Sequence, residues 1–229
     1  MLEAHGASAR FGRRTVVDKV DLVVPDGEVT YLLGLNGAGK TTLLRMLCGL
    51  HRPSAGTVLV NGRDPRTLRD GLRELGTAHA ANPRHTARRH LTWIARAGGF
   101  AVTSVAAAIE VAGIADFADE RIGSYSVGMA QRLGIAVALL GDPQTVVLDE
   151  PVNGLDIPGI IWTRTLFADL AAQGKCVLVA SHLLSEVART ADRVVVMHAG
   201  TIRSDTRLSE LAPTRDADEL EAAYLRIVA

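Results

Sequence analysis

Near-continuous apolar runs, each closed by a turn, mark both ends of the chain. Val29–Leu33 is one, and residues 146–148, 177–180 and 194–197 are three more. Runs this short and apolar predict strands buried on both faces, as in a parallel sheet. Helical patterns lie between them. Residues 41–50 carry Leu43, Leu44, Leu47 and Leu50 at helical spacing, and residues 183–190 separate the last two runs. Strand alternating with helix predicts the βαβ units of a doubly wound α/β core. The first thirty residues and residues 57–61 alternate polar and apolar positions around Pro25-Asp26-Gly27 and Asn61-Gly62. They predict a small N-terminal antiparallel layer. From about residue 76 to 140 the pattern becomes Ala-rich and helical with little strand signal. The expected organisation is one domain over 1–229: a core from 1–75 and 141–229, with a helical subdomain inserted at 76–140. A short amphipathic helix closes the chain at 216–228.

Residues 34–42 read GLNGAGKTT, between a predicted strand and a predicted helix. This is G-x-x-x-x-G-K-[ST] in the context that a phosphate loop requires. Gly37 and Gly39 let backbone N–H groups crowd a polyphosphate. Gly34, Asn36, Ala38 and Thr42 complete the loop, and the helix N-terminus adds partial positive charge. Lys40 supplies the full charge to the β- and γ-phosphates, and the Thr41 hydroxyl is placed to ligate Mg²⁺. Only Lys19, Lys40 and Lys175 are lysine among 25 basic residues, so Lys40 stands out. Residues 145–151, TVVLDEP, place Asp149 and Glu150 where a buried strand ends, the edge at which open α/β sheets bind ligands. Asp149 suits Mg²⁺, and Glu150 suits a base that orients attacking water.

These motifs resemble the ATP-binding cassette (ABC) ATPases over nearly the whole chain. GLNGAGKTT is similar to the family's Walker A and VVLDEP to its Walker B. The run YSVGMAQRLGIA at 125–136 resembles its signature. Asn153-Gly154-Leu155-Asp156 resembles the D-loop, and Ala180-Ser181-His182 the switch histidine. The resemblance implies a P-loop core and two cassettes arranged head to tail around two ATP molecules. Each ATP would rest on one Walker A and meet the partner's Ser126, Val127, Gly128 and Met129. It also implies that His182 contacts the γ-phosphate, that Asp156 connects the two sites, and that Phe11 stacks on adenine. The signature departs from the family's Leu-Ser-Gly-Gly-Gln at Val127, as in cassettes of antibiotic export and immunity. Leu35 replaces the usual Walker A proline. The glutamine expected near Ala80 is missing, leaving His79 or Asn82 as substitutes and slow hydrolysis as one consequence.

Composition narrows the partners. Acidic and basic residues balance at 25 each, so net charge gives no reason to expect nucleic acid. The N-terminus lacks a signal-peptide pattern. The longest uncharged candidate for a span, in 97–109, is broken by Gly98, Gly99, Thr103 and Ser104, short of the ~18–20 apolar residues a bilayer demands. Cys48 and Cys176 stand alone in apolar contexts and fit a reducing cytosol. The expectation is an ATP- and Mg²⁺-dependent transporter ATPase. It would be cytoplasmic, bound to a membrane permease and paired with a second ATPase subunit, as a homodimer or a heterodimer. Residues 75–109 hold no acidic side chain but include Arg84, Arg88, Arg89 and Arg96, a groove suited to an acidic permease element. A soluble ribosome- or DNA-associated cassette and a slow regulatory ATP binder are the alternatives.

Overall fold

In the computed structural model, which describes residues 1–67 and 81–229, two sheets and a helical layer surround three apolar clusters. The larger sheet is built from β3 (Val29–Leu33), β5 (Thr145–Asp149), β6 (Cys176–Ser181), β7 (Arg193–His198) and β8 (Thr201–Arg207), in the order β5-β6-β3-β7-β8. β5, β6, β3 and β7 are parallel, and β8 closes the edge antiparallel to β7. β3 and β6 are buried at every position, as expected of strands covered on both faces. β8 instead alternates exposed and half-buried positions. Its polar composition holds no apolar run, so the hydrophobic pattern predicts no strand here.

On one face sits the antiparallel sheet of β1 (Leu2–Phe11), β2 (Arg14–Val24) and β4 (Ala55–Val60), in the order β2-β1-β4. Leu2, Ala4, Val17, Val20 and Leu22 meet helix α1 (Lys40–Leu47) and one face of the large sheet in a single cluster. α1 ends three residues sooner than the periodicity predicts. Gly49, at φ 71, turns the chain, and Leu50 N–H donates to Arg45 O at 2.8 Å. Leu50 therefore leaves the helix and is exposed. On the opposite face, α5 (Ile157–Ala172), α6 (Leu184–Thr190), α7 (Leu208–Leu211) and the terminal α8 (Ala217–Val228) cover Tyr31, Leu148 and Val196.

The helical layer comprises α2 (Ala87–Ala97), α3 (Thr103–Val111) and α4 (Val127–Leu139), which pack Leu91, Ile94, Ile109, Ile114, Leu133 and Leu140 together. α4 begins at Val127 because Ser126 is its N-cap: Ser126 Oγ accepts the Met129 N–H at 3.1 Å. Trp162 ties this layer to α5, donating to Val111 O at 3.2 Å with the Arg132 guanidinium 4.3 Å from its ring centre.

Candidate functional site

The phosphate loop leaves β3 at its carboxyl end and enters α1. Gly34 lies so close to β7 that a Cβ there would stand 2.4 Å from Met197 O. Gly39, at φ 107, would meet Val16 O at 2.7 Å and Met197 Cε at 2.8 Å. Both glycines thus fix the loop against the core. Gly37, at φ 85, faces open space, which lets its backbone approach a ligand. Replacing Gly34 by Ala forces backbone apart across two strands and is expected to cost about 2–3 kcal/mol. Chemical denaturation checks this.

A cleft of about 660 Å³ opens over this loop, lined by Asn36, Gly37, Gly39, Lys40, Thr41, Thr42, Asp149 and Glu150, with Arg14, Arg45 and Leu50 at its rim. Its size lies within the ordinary range for small-molecule sites. Lys40 Nζ donates to Gly34 O at 2.6 Å and lies 3.7 Å from Glu150 Oε1. Thr41 Oγ1 donates to Asp149 Oδ2 at 2.7 Å. Glu150 Oε1 is 2.8 Å from His182 Nδ1. Its other oxygen, Oε2, is buried with no hydrogen-bond partner among the described residues. A buried carboxylate oxygen without a donor is costly, and a ligand or water would relieve it. Three strand ends therefore deliver five chemically active side chains to one point: Lys40 and Thr41 after β3, Asp149 and Glu150 at β5, and His182 after β6. The helix following His182 is fixed to α5 by a two-pronged pair, Arg164 to Glu186, at 2.8 and 2.7 Å.

Other residues singled out from sequence lie elsewhere. Phe11 does not line the cleft; half-exposed, it stacks on His51 with ring centres 4.9 Å apart. Ala38 and Gly34 are buried under the loop. Ser126 and Val127 are exposed at the start of α4, Gly128 and Met129 half-buried behind them. The Ser126 oxygen accepts from Met129, so its proton remains free to donate. Asp156 caps α5, accepting from Gly159 N at 2.9 Å. Asn82 Oδ1 accepts from Arg84 N at 3.0 Å in a turn. Ala80 and His79 lie outside the described residues. Arg88, expected in an unopposed basic run, is paired with Asp119 through two bonds of 2.8 and 2.9 Å. Asp119 lies ten residues beyond the acid-free stretch of 75–109. Gln131, whose Nε2 donates to Glu150 O at 3.2 Å, and His51 carry no signal in the sequence without the tertiary contact.

A family model described as ABC transporter matches residues 17–153, more than half of the chain. The bacitracin transport ATP-binding protein BcrA of Enterococcus faecalis is 36% identical over 217 residues, covering 92% of this chain and 70% of that protein. The lantibiotic transport ATP-binding protein SrtF of Streptococcus pyogenes is 31% identical, covering 88% of this chain and 89% of that one. A solved dimeric bacterial ABC transporter cassette, MJ0796, superposes with a TM-score of 0.81 over 91% of this chain and 99% of its own, at 21% identity. At that identity the likeness speaks for the fold, which is the P-loop cassette fold. The family match, the relatives and the cleft agree: this chain belongs to the ABC transporter family, as an ATP-binding and ATP-hydrolysing subunit.

Proposed function

We propose that the chain powers a separate membrane permease, in an exporter of peptide-antibiotic or related type, through ATP-driven closure of two cassettes. The observation that carries the chemistry is the convergence of Lys40, Thr41, Asp149, Glu150 and His182 on one cleft. ATP lies with its phosphates over the Gly37–Gly39 backbone, and Lys40 meets the β- and γ-phosphates. Thr41 and Asp149 hold adjacent hard oxygens and fit Mg²⁺, which supplies charge neutralisation to the phosphates when bound. Glu150 orients a water and takes its proton as the water oxygen bonds to the γ-phosphorus and the bond to the β–γ bridging oxygen breaks. His182, bonded to the same carboxylate, stands at the γ-phosphate side. Ser126 and the N-terminal turn of α4 offer an exposed anion site that suits the γ-phosphate held by a second cassette.

Relatives named for bacitracin and lantibiotic transport support the exporter reading. No helix among the described residues is long and apolar enough to cross a membrane, so membrane attachment runs through the permease at the cytoplasmic face. α2 offers the surface for it: Trp93, 63% exposed, stands beside Arg89 and Arg96. Arg89 and Arg96 suit an acidic element and Trp93 an apolar one. Converting Trp93 to Ala is expected to weaken permease association at least about tenfold, as loss of an aromatic anchor does, with ATP binding unchanged. Quantitative co-purification from solubilised membranes reads it.

That co-purification also tests the main reading. A multi-helix permease should accompany the tagged chain; ribosomes or DNA in its place would overturn it. The family's glutamine is absent near Ala80, which favours a second reading as a slow ATP-operated switch. Multiple turnover faster than roughly 0.1 s⁻¹ would remove that alternative.

A further inference from the structure

Glu150 adopts φ 51, a left-handed conformation that side chains bearing a Cβ rarely hold. Something must keep it there. Its N–H donates to Ala180 O at 2.9 Å, and its carbonyl accepts from Asn153 N at 3.2 Å. The carbonyl's other bond comes from Gln131 Nε2, also at 3.2 Å. The first two partners belong to the strand ends and the turn itself. Gln131 belongs to α4, in the helical layer.

The same face of α4 touches the turn again one helical turn earlier. Val127 and Gln131 are spaced i, i+4 and share a face. A Cβ on Gly154, at φ 78, would stand 2.4 Å from Val127 Cγ1, and a Cβ on Gly128 would stand 2.9 Å from Gly154 O. Val127 thus fills the space that the glycine at 154 leaves open. The turn from Glu150 to Gly154 is held against α4 at both its ends.

We propose that Gln131 and Val127 are positioning residues: together they latch the signature helix to the catalytic turn and keep the Glu150 carboxylate between His182 and Lys40. The latch rests on the reading of Glu150 as the base and adds a consequence. In the proposed pair of cassettes Ser126, the N-cap of α4, faces the partner's ATP, while Glu150 faces the ATP of its own chain. A rigid α4 therefore connects the two nucleotides through a single chain, by way of Gln131.

Gln131→Met keeps the length and removes the donor. Its ATPase kcat should fall about tenfold or more, with the KM for ATP within about twofold, the split expected when only the transition state is affected. The melting temperature should move by no more than the about 2–4 °C that one lost hydrogen bond carries in a chain of this size. Gln131→Glu supplies a second readout. An ionised carboxylate offers the Glu150 carbonyl no proton, but a protonated one does. Its rate relative to the native protein should be lowest at alkaline pH and recover as pH falls. Wild-type kcat in Gln131→Met would overturn the latch. So would a fall in kcat matched by a rise in KM and a large loss of thermal stability, which marks simple packing. Glu150→Gln, assayed alongside, separates the two levels. If it is inactive while Gln131→Met is fully active, only the latch fails. If it retains full turnover, the base assignment fails and the latch with it.

Discussion

Replacing Glu150 by Gln is expected to lower ATP turnover by about 10³-fold, the scale on which a positioned general base acts, and to leave ATP bound. The carboxamide has the same shape but no basic oxygen. In the native site Oε1 is engaged by His182 at 2.8 Å and approached by Lys40 at 3.7 Å. The other oxygen, Oε2, is buried and has no partner among the described residues. Substitution also removes a negative charge from beside the γ-phosphate and leaves the Lys40 charge in place. Binding of the ATP tetra-anion should then be unimpaired or tighter, and a dimer held by uncleaved ATP should accumulate. Rapid-quench kinetics together with size-exclusion chromatography in excess ATP measure both arms. Full turnover in this variant would remove Glu150 from the mechanism, and a monomer at saturating ATP would remove dimer closure.

The sequence makes the core of the fold readable because burial dictates it. β3, β5, β6 and β7 each carry at least three consecutive buried apolar residues, and that density is visible without a structure. The polar edge strand β8 carries no such density. For the site, the phosphate loop and the acidic strand end are legible because backbone geometry restricts which residues can occupy them. Gly39 at φ 107 between Val16 and Met197 admits no side chain. Contacts that depend on which elements become neighbours are not legible. Phe11 reads as a base-stacking ring, yet nothing local announces that His51, 40 positions away, stacks on it. Arg88 reads as one of an unopposed basic run until the fold brings Asp119 against it. Gln131 lies within the signature run that identifies the family, but its bond to Glu150 spans two layers of the fold. Val127 replaces a glycine of the family's signature and reads there as the mark of a subfamily. In the structure the side chain has a place, against Gly154.

Lys40 to Ala should weaken ATP binding by about 10²–10³-fold. Charge-assisted hydrogen bonds contribute about 1.5–3 kcal/mol each, and this ammonium is placed to serve two phosphates, so the loss falls between one such bond and two. Among the described residues no other lysine lines the cleft, and Arg14 and Arg45 stand at its rim. The fold should survive. Alanine is the best helix former at the first position of α1, and Gly34 and Gly39 set the loop through backbone contacts that the substitution leaves alone. The measurement that separates lost binding from lost folding is thermal unfolding with and without ATP. At an ATP concentration about 100 times the native Kd, linkage adds about 2.7 kcal/mol to native stability. With affinity lowered 10³-fold, the same ATP adds less than about 0.1 kcal/mol, and the ATP-dependent rise in melting temperature disappears. The nucleotide-free curve should stay near the native one. Arginine at this position should restore little. Its planar fork is wider than the ammonium, and the Lys40 side chain is buried, with Nζ 2.6 Å from the Gly34 carbonyl. An ATP-dependent stabilisation that persists in Lys40→Ala would mean that the backbone cradle and helix α1 hold the phosphates without the ammonium, and that Lys40 acts on the hydrolytic step alone.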